Sequence, residues 1–218
     1  MLALSPGAVV AGLFADGSVA QMAANITVLP VAILVSIIVW FQVNHRVYRS
    51  PIWLADTFGF NRKNTGRCLM LGLVTGLGLV LISMVLALLT SQLIHALGDQ
   101  AEPQKLVTLI AEESAKKENI PTLIFFVVMA VVVAPIAEEI LFRGILYPAI
   151  KQIGYPRLAA IGTALLFALF HVNLLTFASL TVVALGLIAL YEFTDNLLAP
   201  ITAHAVFNAS NLIMLFWR

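Results

Sequence analysis

Five ionisable side chains stand within or beside otherwise apolar stretches of this sequence: Glu138, Glu139, Arg143, His171 and His204. Asn208, one helical turn beyond His204, adds an amide to the group. Charges and imidazoles at such positions are costly unless they pair or do work. In Ala134-Pro-Ile-Ala-Glu-Glu-Ile-Leu-Phe-Arg143, Glu139 and Arg143 are four apart and share a helix face, so they can form an ion pair. Neighbouring residues diverge by about 100° on a helix, so Glu138 points elsewhere and has no partner from its own helix. Glu139–Arg143 therefore reads as a structural clamp and Glu138 as the carboxylate free for chemistry. The competing reading joins all three in one ion-pair network. Phe167-Ala-Leu-Phe-His171 places an aromatic ring one turn before an imidazole, and His204-Ala-Val-Phe-Asn208 stacks an imidazole and an amide on one face. Either histidine alone is more often a packed core residue than a catalyst. Together with an unpaired carboxylate, they can activate a water and stabilise a tetrahedral intermediate, with Asn208 orienting the imidazole or donating to the oxyanion.

The elements that must bring these groups together are membrane helices. Apolar residues make up 61% of the 218 and charged residues 11%, and the mean hydropathy is +1.01. A soluble domain carries roughly a quarter charged residues. Ile26–Val43, Cys68–Ile94, Ile120–Ala137 and Asn196–Trp217 contain no Asp, Glu, Lys or Arg, and each is near or above the ~18–20 residues that cross a hydrocarbon core. Leu158–Tyr191 is too long for one crossing and reads as two helices turning near His171–Thr176. The expected fold is an all-α, polytopic transmembrane bundle of about six spans. Residues 1–24, weakly apolar and without a basic leader, form an interfacial helix or one further short crossing and do not read as a cleaved signal peptide. Pro135 predicts a kink or a restart of its helix just before the two acids.

Arg46, Arg49, Arg62, Lys63 and Arg67 face a single Asp56 in the first connection, whereas the segment Gly98–Asn119 mixes five acids with three lysines. Lys/Arg bias then predicts a cytoplasmic Arg46–Arg67 loop, with Lys151 and Arg157 also inside and both termini outside. The net charge of +1 gives no reason to expect a nucleic-acid partner, and the lone Cys68 excludes an intramolecular disulfide. Gly72-x3-Gly76 either lets two helices approach closely or is glycine common to membrane helices. The chain reads as one membrane domain in two parts: helices and loops over 1–120, and the chemistry-bearing segment over 121–215.

The motifs Glu138-Glu139-x3-Arg143, Phe167-x3-His171 and His204-x3-Asn208, in that order, resemble those of the type II CAAX prenyl endopeptidases, also known as the CAAX protease and bacteriocin-processing (Abi) family. The likeness covers about the last hundred residues and includes the flanking Leu141-Phe-Arg-Gly-Ile-Leu-Tyr147. It implies an intramembrane endopeptidase reached from the cytosolic side. In it Glu138 and His171 activate the water, while His204 and Asn208 supply transition-state or metal contacts. Its substrates would be membrane-associated peptides or proteins of CAAX or bacteriocin type, and its setting the lipid bilayer, as a bacterial plasma-membrane protein. If a catalytic zinc is present, Glu138, His171 and His204 are its three ligands. The sequence leans towards a metal-free site, because a liganding glutamate cannot also serve freely as the base. A proton-coupled carrier and a non-catalytic immunity or scaffold protein remain the alternatives, although no repeated pair of broken helices favours the carrier.

Overall fold

The computed structural model describes residues 13, 19–47, 58, 60, 64–98, 108 and 120–217. Every regular element among them is helical: α1 Val19–Val47, α2 Thr65–Ala96, α3 Ile120–Gln152, α4 Pro156–Phe170, α5 Leu174–Thr194 and α6 Leu198–Phe216. All but α4 are long and apolar enough to cross a membrane. A helix satisfies its own backbone polar groups, which is the condition for standing in lipid. The turn between α4 and α5 occupies His171–Asn173, within the segment where the sequence placed it. The shorter α4, at fifteen residues, rises about 22 Å and returns against α5 as a hairpin. Residues 1–18, apart from Leu13, lie outside the described residues, as do most of the Arg46–Arg67 loop and of the Gly98–Asn119 segment.

The third helix carries the two acids and the arginine together, as their spacing predicted. The charge-free run ends at Ala137, yet α3 continues unbroken to Gln152 and carries Glu138, Glu139 and Arg143 in its interior. Nor does Pro135 restart it. The helix widens instead into a π turn at Met129–Val133, resumes α geometry over Ala134–Glu139, widens again over Ile140–Leu146, and closes as α over Tyr147–Gln152. Each π turn is followed closely by a proline, Pro135 or Pro148, at the start of the next α segment. Proline has no N–H to give to the ladder, and a wider turn absorbs the missing rung without ending the helix.

Helix α2 forms the back of the bundle and packs against α5 and α6. The Gly72-x3-Gly76 motif lies at the α2–α6 contact. A Cβ at Gly72 would come within 2.6 Å of Thr202 Cβ, and one at Gly76 within 2.6 Å of the Ala203 carbonyl oxygen. The close-approach reading of the two glycines therefore holds, because any side chain there would push α6 away. On the other flank, Ser179 Oγ of α5 donates to the Ser83 carbonyl of α2 at 3.3 Å, and Gly186 lets Leu79 approach. The outer face of α2, including Met70, Val74, Leu81 and Leu88, is exposed, as suits a helix facing lipid.

One end of the bundle gathers charge. Lys151 pairs with Glu192 at 2.6 Å and Arg67 lies over the Phe193 ring at 5.5 Å. Phe58 is buried there: its carbonyl accepts from Leu197 N–H at 3.2 Å, and its ring fills the space left by Gly144. The start of α6 is thereby drawn into the bundle.

Candidate functional site

Glu139 and Arg143 are almost fully enclosed, at 0% and 1% exposure. Arg143 Nη1 donates to Glu139 Oε1 at 2.8 Å, across one turn of α3. Its Nη2 donates to the Ala184 carbonyl of α5 at 3.1 Å, and the guanidinium lies 4.9 Å from the centre of the Phe167 ring. One arginine thus ties α3 to α5 and rests on α4. The sequence could see the first of these links, since it follows from i,i+4 spacing, but not the other two.

Glu139 has a second role that the spacing does not reveal. The same Oε1 accepts from His204 Nδ1 of α6 at 2.9 Å. A carboxylate can only accept from a ring nitrogen, so Nδ1 carries the proton, and Nε2 is the ring atom left for other work. Nε2 faces Glu138, 3.8 Å from its Oε2, which is beyond hydrogen-bonding distance. Glu138 is a quarter exposed, unlike its neighbour, and has no partner on α3. The two adjacent glutamates thus lie on either side of one imidazole, one holding it and one facing it.

His171 occupies the first residue of the turn after α4. Its Nδ1 meets the Phe167 carbonyl at 2.9 Å. A carbonyl can only accept, so here too the proton lies on Nδ1 and Nε2 is free. The imidazole packs on the Phe167 ring at 4.8 Å between centroids, and His204 meets the same ring edge-on at 5.7 Å. Phe167, 1% exposed, is therefore the wall against which both histidines and Arg143 rest. His171 makes no ion pair or hydrogen bond with either glutamate. The next residue, Val172, has a φ of 46°, a conformation rarely adopted by a β-branched residue.

Asn208 lies on the same face of α6 as His204 but does not bond to it. Its Nδ2 donates at 2.8 Å to the carbonyl of Ala130, in the first π turn of α3. Among the described residues no three His, Cys, Asp or Glu side chains are grouped for a metal. Glu139, thirteen residues before Gln152, lies about 20 Å along α3 from the end that carries Lys151. The site is therefore nearer the tip of the α4–α5 hairpin than the charged end, and a cytoplasmic Arg46–Arg67 loop does not by itself bring the reactive atoms close to the cytosol.

The family model for type II CAAX prenyl endopeptidases of the Rce1-like kind matches residues 120–210. That segment belongs to the family. The match runs from the first residue of α3 through most of α6 and includes all six residues singled out by the motifs. The chain is an integral membrane protein whose residues 120–210 are similar to the CAAX-type intramembrane proteases of that family. No curated protein and no solved structure matches it. Helices α1 and α2 lie outside the matched segment, yet α2 sets the position of the helix that carries His204. What sequence reasoning missed in the site is the backbone: the Ala184, Phe167 and Ala130 carbonyls each hold a site side chain, and carbonyls leave no trace in residue types.

Proposed function

We propose that this Rce1-like chain cleaves peptide bonds with a water activated by Glu138, without a metal. The observation that carries the proposal is a partly exposed Glu138 facing the Nε2 of His204 at 3.8 Å, with the imidazoles of His204 and His171 each held through Nδ1. Glu138 takes a proton from water as its oxygen attacks the scissile carbonyl carbon, and later returns that proton to the leaving amine. The Nε2 of His171 accepts from the same water and orients it. When His204 is protonated, its Nε2–H donates to the oxyanion of the tetrahedral intermediate while Glu139 stabilises the imidazolium. Arg143 holds Glu139 in place, and the C–N bond breaks as the intermediate collapses, the amine leaving with the proton that Glu138 returns. The substrates are membrane-associated peptides of CAAX or bacteriocin type, and the charged end of the bundle faces the cytoplasm.

A comparison of membrane peptides accumulating in cells with wild-type protein and with Glu138→Ala tests the peptidase. Peptides longer by a common segment in the mutant are the expected result, and identical profiles would overturn the proposal. Elemental analysis of the active, purified protein tests the metal-free version. Stoichiometric zinc that leaves with activity on chelation, and restores it when returned, would replace Glu138 as free base with a metal-bound water.

A further inference from the structure

Asn208 belongs to the site by sequence position, yet its side chain is engaged elsewhere, and the geometry of α3 explains why. In the first π turn the Ala134 N–H donates to the Met129 carbonyl, five residues back. The next rung in that register would run from residue 135 to the Ala130 carbonyl. Residue 135 is proline, which has no N–H. The Ala130 carbonyl is therefore orphaned by the sequence of its own helix. Ala130 is itself buried, at 8% exposure, so water does not readily take its place. The Asn208 amide fills the vacancy from α6 at 2.8 Å.

We infer that Asn208 is a positioning residue: it caps the carbonyl that Pro135 leaves unpaired and so locks the register of α6 against α3. His204 is one turn before Asn208 on α6, and Glu138 and Glu139 are about two turns after Ala130 on α3. A bond between Asn208 and Ala130 therefore fixes the depth at which the His204 imidazole meets the glutamates. The Ala130 carbonyl could not be served from within α3 unless the proline were absent, so Pro135 and Asn208 act as one device. Asn208 then holds His204 in place without touching the reacting atoms. The inference rests on the placement of His204 in the proposed site, but its test needs no cleavage assay.

The test is a cycle of Pro135→Ala, Asn208→Ala and the double variant in the full chain in detergent, read by thermal unfolding and by the imidazole ¹⁵N resonances of His204. Asn208→Ala should lower the unfolding temperature and weaken the hydrogen-bonded Nδ1 signature that His204 owes to Glu139. Pro135→Ala restores an N–H at position 135, so the double variant should regain both. Asn208→Asp keeps the size but loses the donor, and should behave as Asn208→Ala. An unchanged His204 signature in Asn208→Ala, or a double variant lower than either single, would overturn the inference. If Pro135→Ala alone does not fold, Asn208→Asp decides: an intact His204 signature there also overturns it. Loss of the signature with normal peptide profiles in cells would leave the positioning role standing and count against the catalytic use of His204.

Discussion

Removing Arg143 perturbs the most enclosed ion pair in the structure, and the wiring sets the size of the effect. Arg143→Ala deletes the 2.8 Å bond to Glu139 and the 3.1 Å bond to the Ala184 carbonyl. Breaking a buried pair by removing one partner costs about 3–5 kcal/mol, because the other charge is stranded. Glu139 is not wholly stranded, since its Oε1 keeps the 2.9 Å contact with His204. A hydrogen bond to a charged group contributes about 1.5–3 kcal/mol, so the loss should lie near the lower limit, about 3 kcal/mol. Glu139→Ala is the harsher change. It leaves a guanidinium that cannot shed its proton, with only the Ala184 carbonyl and the face of Phe167 for company. Its cost should reach about 5 kcal/mol. Glu139→Gln combined with Arg143→Met removes both charges and should recover more than half of the larger loss. Equilibrium unfolding in mixed micelles measures all four proteins, and the cycle isolates the coupling. A double variant less stable than either single, or Arg143→Ala costlier than Glu139→Ala, would show that the shared carboxylate is not the centre of the network.

Four further outcomes follow from the same geometry. Glu138→Ala and His171→Ala should each abolish peptide processing in cells while leaving the unfolding midpoint close to wild type; loss of folded protein in both would make the residues structural. Gly76→Val places a Cβ 2.6 Å from the Ala203 carbonyl and should destabilise by about 1–3 kcal/mol, whereas the same change at Gly78, where a Cβ meets nothing, should have little effect. Val172→Gly relieves a strained left-handed residue and should raise stability by up to about 1 kcal/mol, as unfolding would report; a loss of stability would refute the strain. In a Cys68→Ser background, cysteines in the Arg46–Arg67 loop should resist impermeant thiol reagents in intact cells and cysteines in Gly98–Asn119 should react. The reverse pattern would invert the bundle.

Where the sequence reading succeeded, the relevant contact was local in the chain. The Glu139–Arg143 bond, the stacking of His171 on Phe167 and the turn at His171–Asn173 all follow from helical spacing or from the length a helix needs to cross lipid. Where it fell short, the cause was register between helices. Residue types do not show that His204 and Arg143 would share one carboxylate oxygen, because that depends on how far α6 slides along α3. Charge does not end the third helix: Arg143 and Glu139 are turned inward and paired with each other, so the helix passes through them. Pro135 signalled an irregularity at the right place, and the structure shows it as a π turn over Met129–Val133.

Asn208 and Ala130, the donor and acceptor that join α6 to α3, both lie inside the matched segment. The matched segment supplies Glu138, Glu139, Arg143, His171, His204 and Asn208, but it does not by itself hold α6 at its depth. On the α3 side, depth is set by Asn208 on the Ala130 carbonyl. On the opposite side it is set by Gly72 and Gly76, which admit the backbone of Ala199 and Ala203 to near contact. Ala203 immediately precedes His204, so a displacement of α6 at Gly76 is transmitted directly to the imidazole. An α6 displaced by a fraction of an ångström alters the 2.9 Å bond to Glu139 on which the orientation of Nε2 depends. The two glycines, outside the matched segment, are thus part of what makes a glutamate and a histidine face each other within the bilayer.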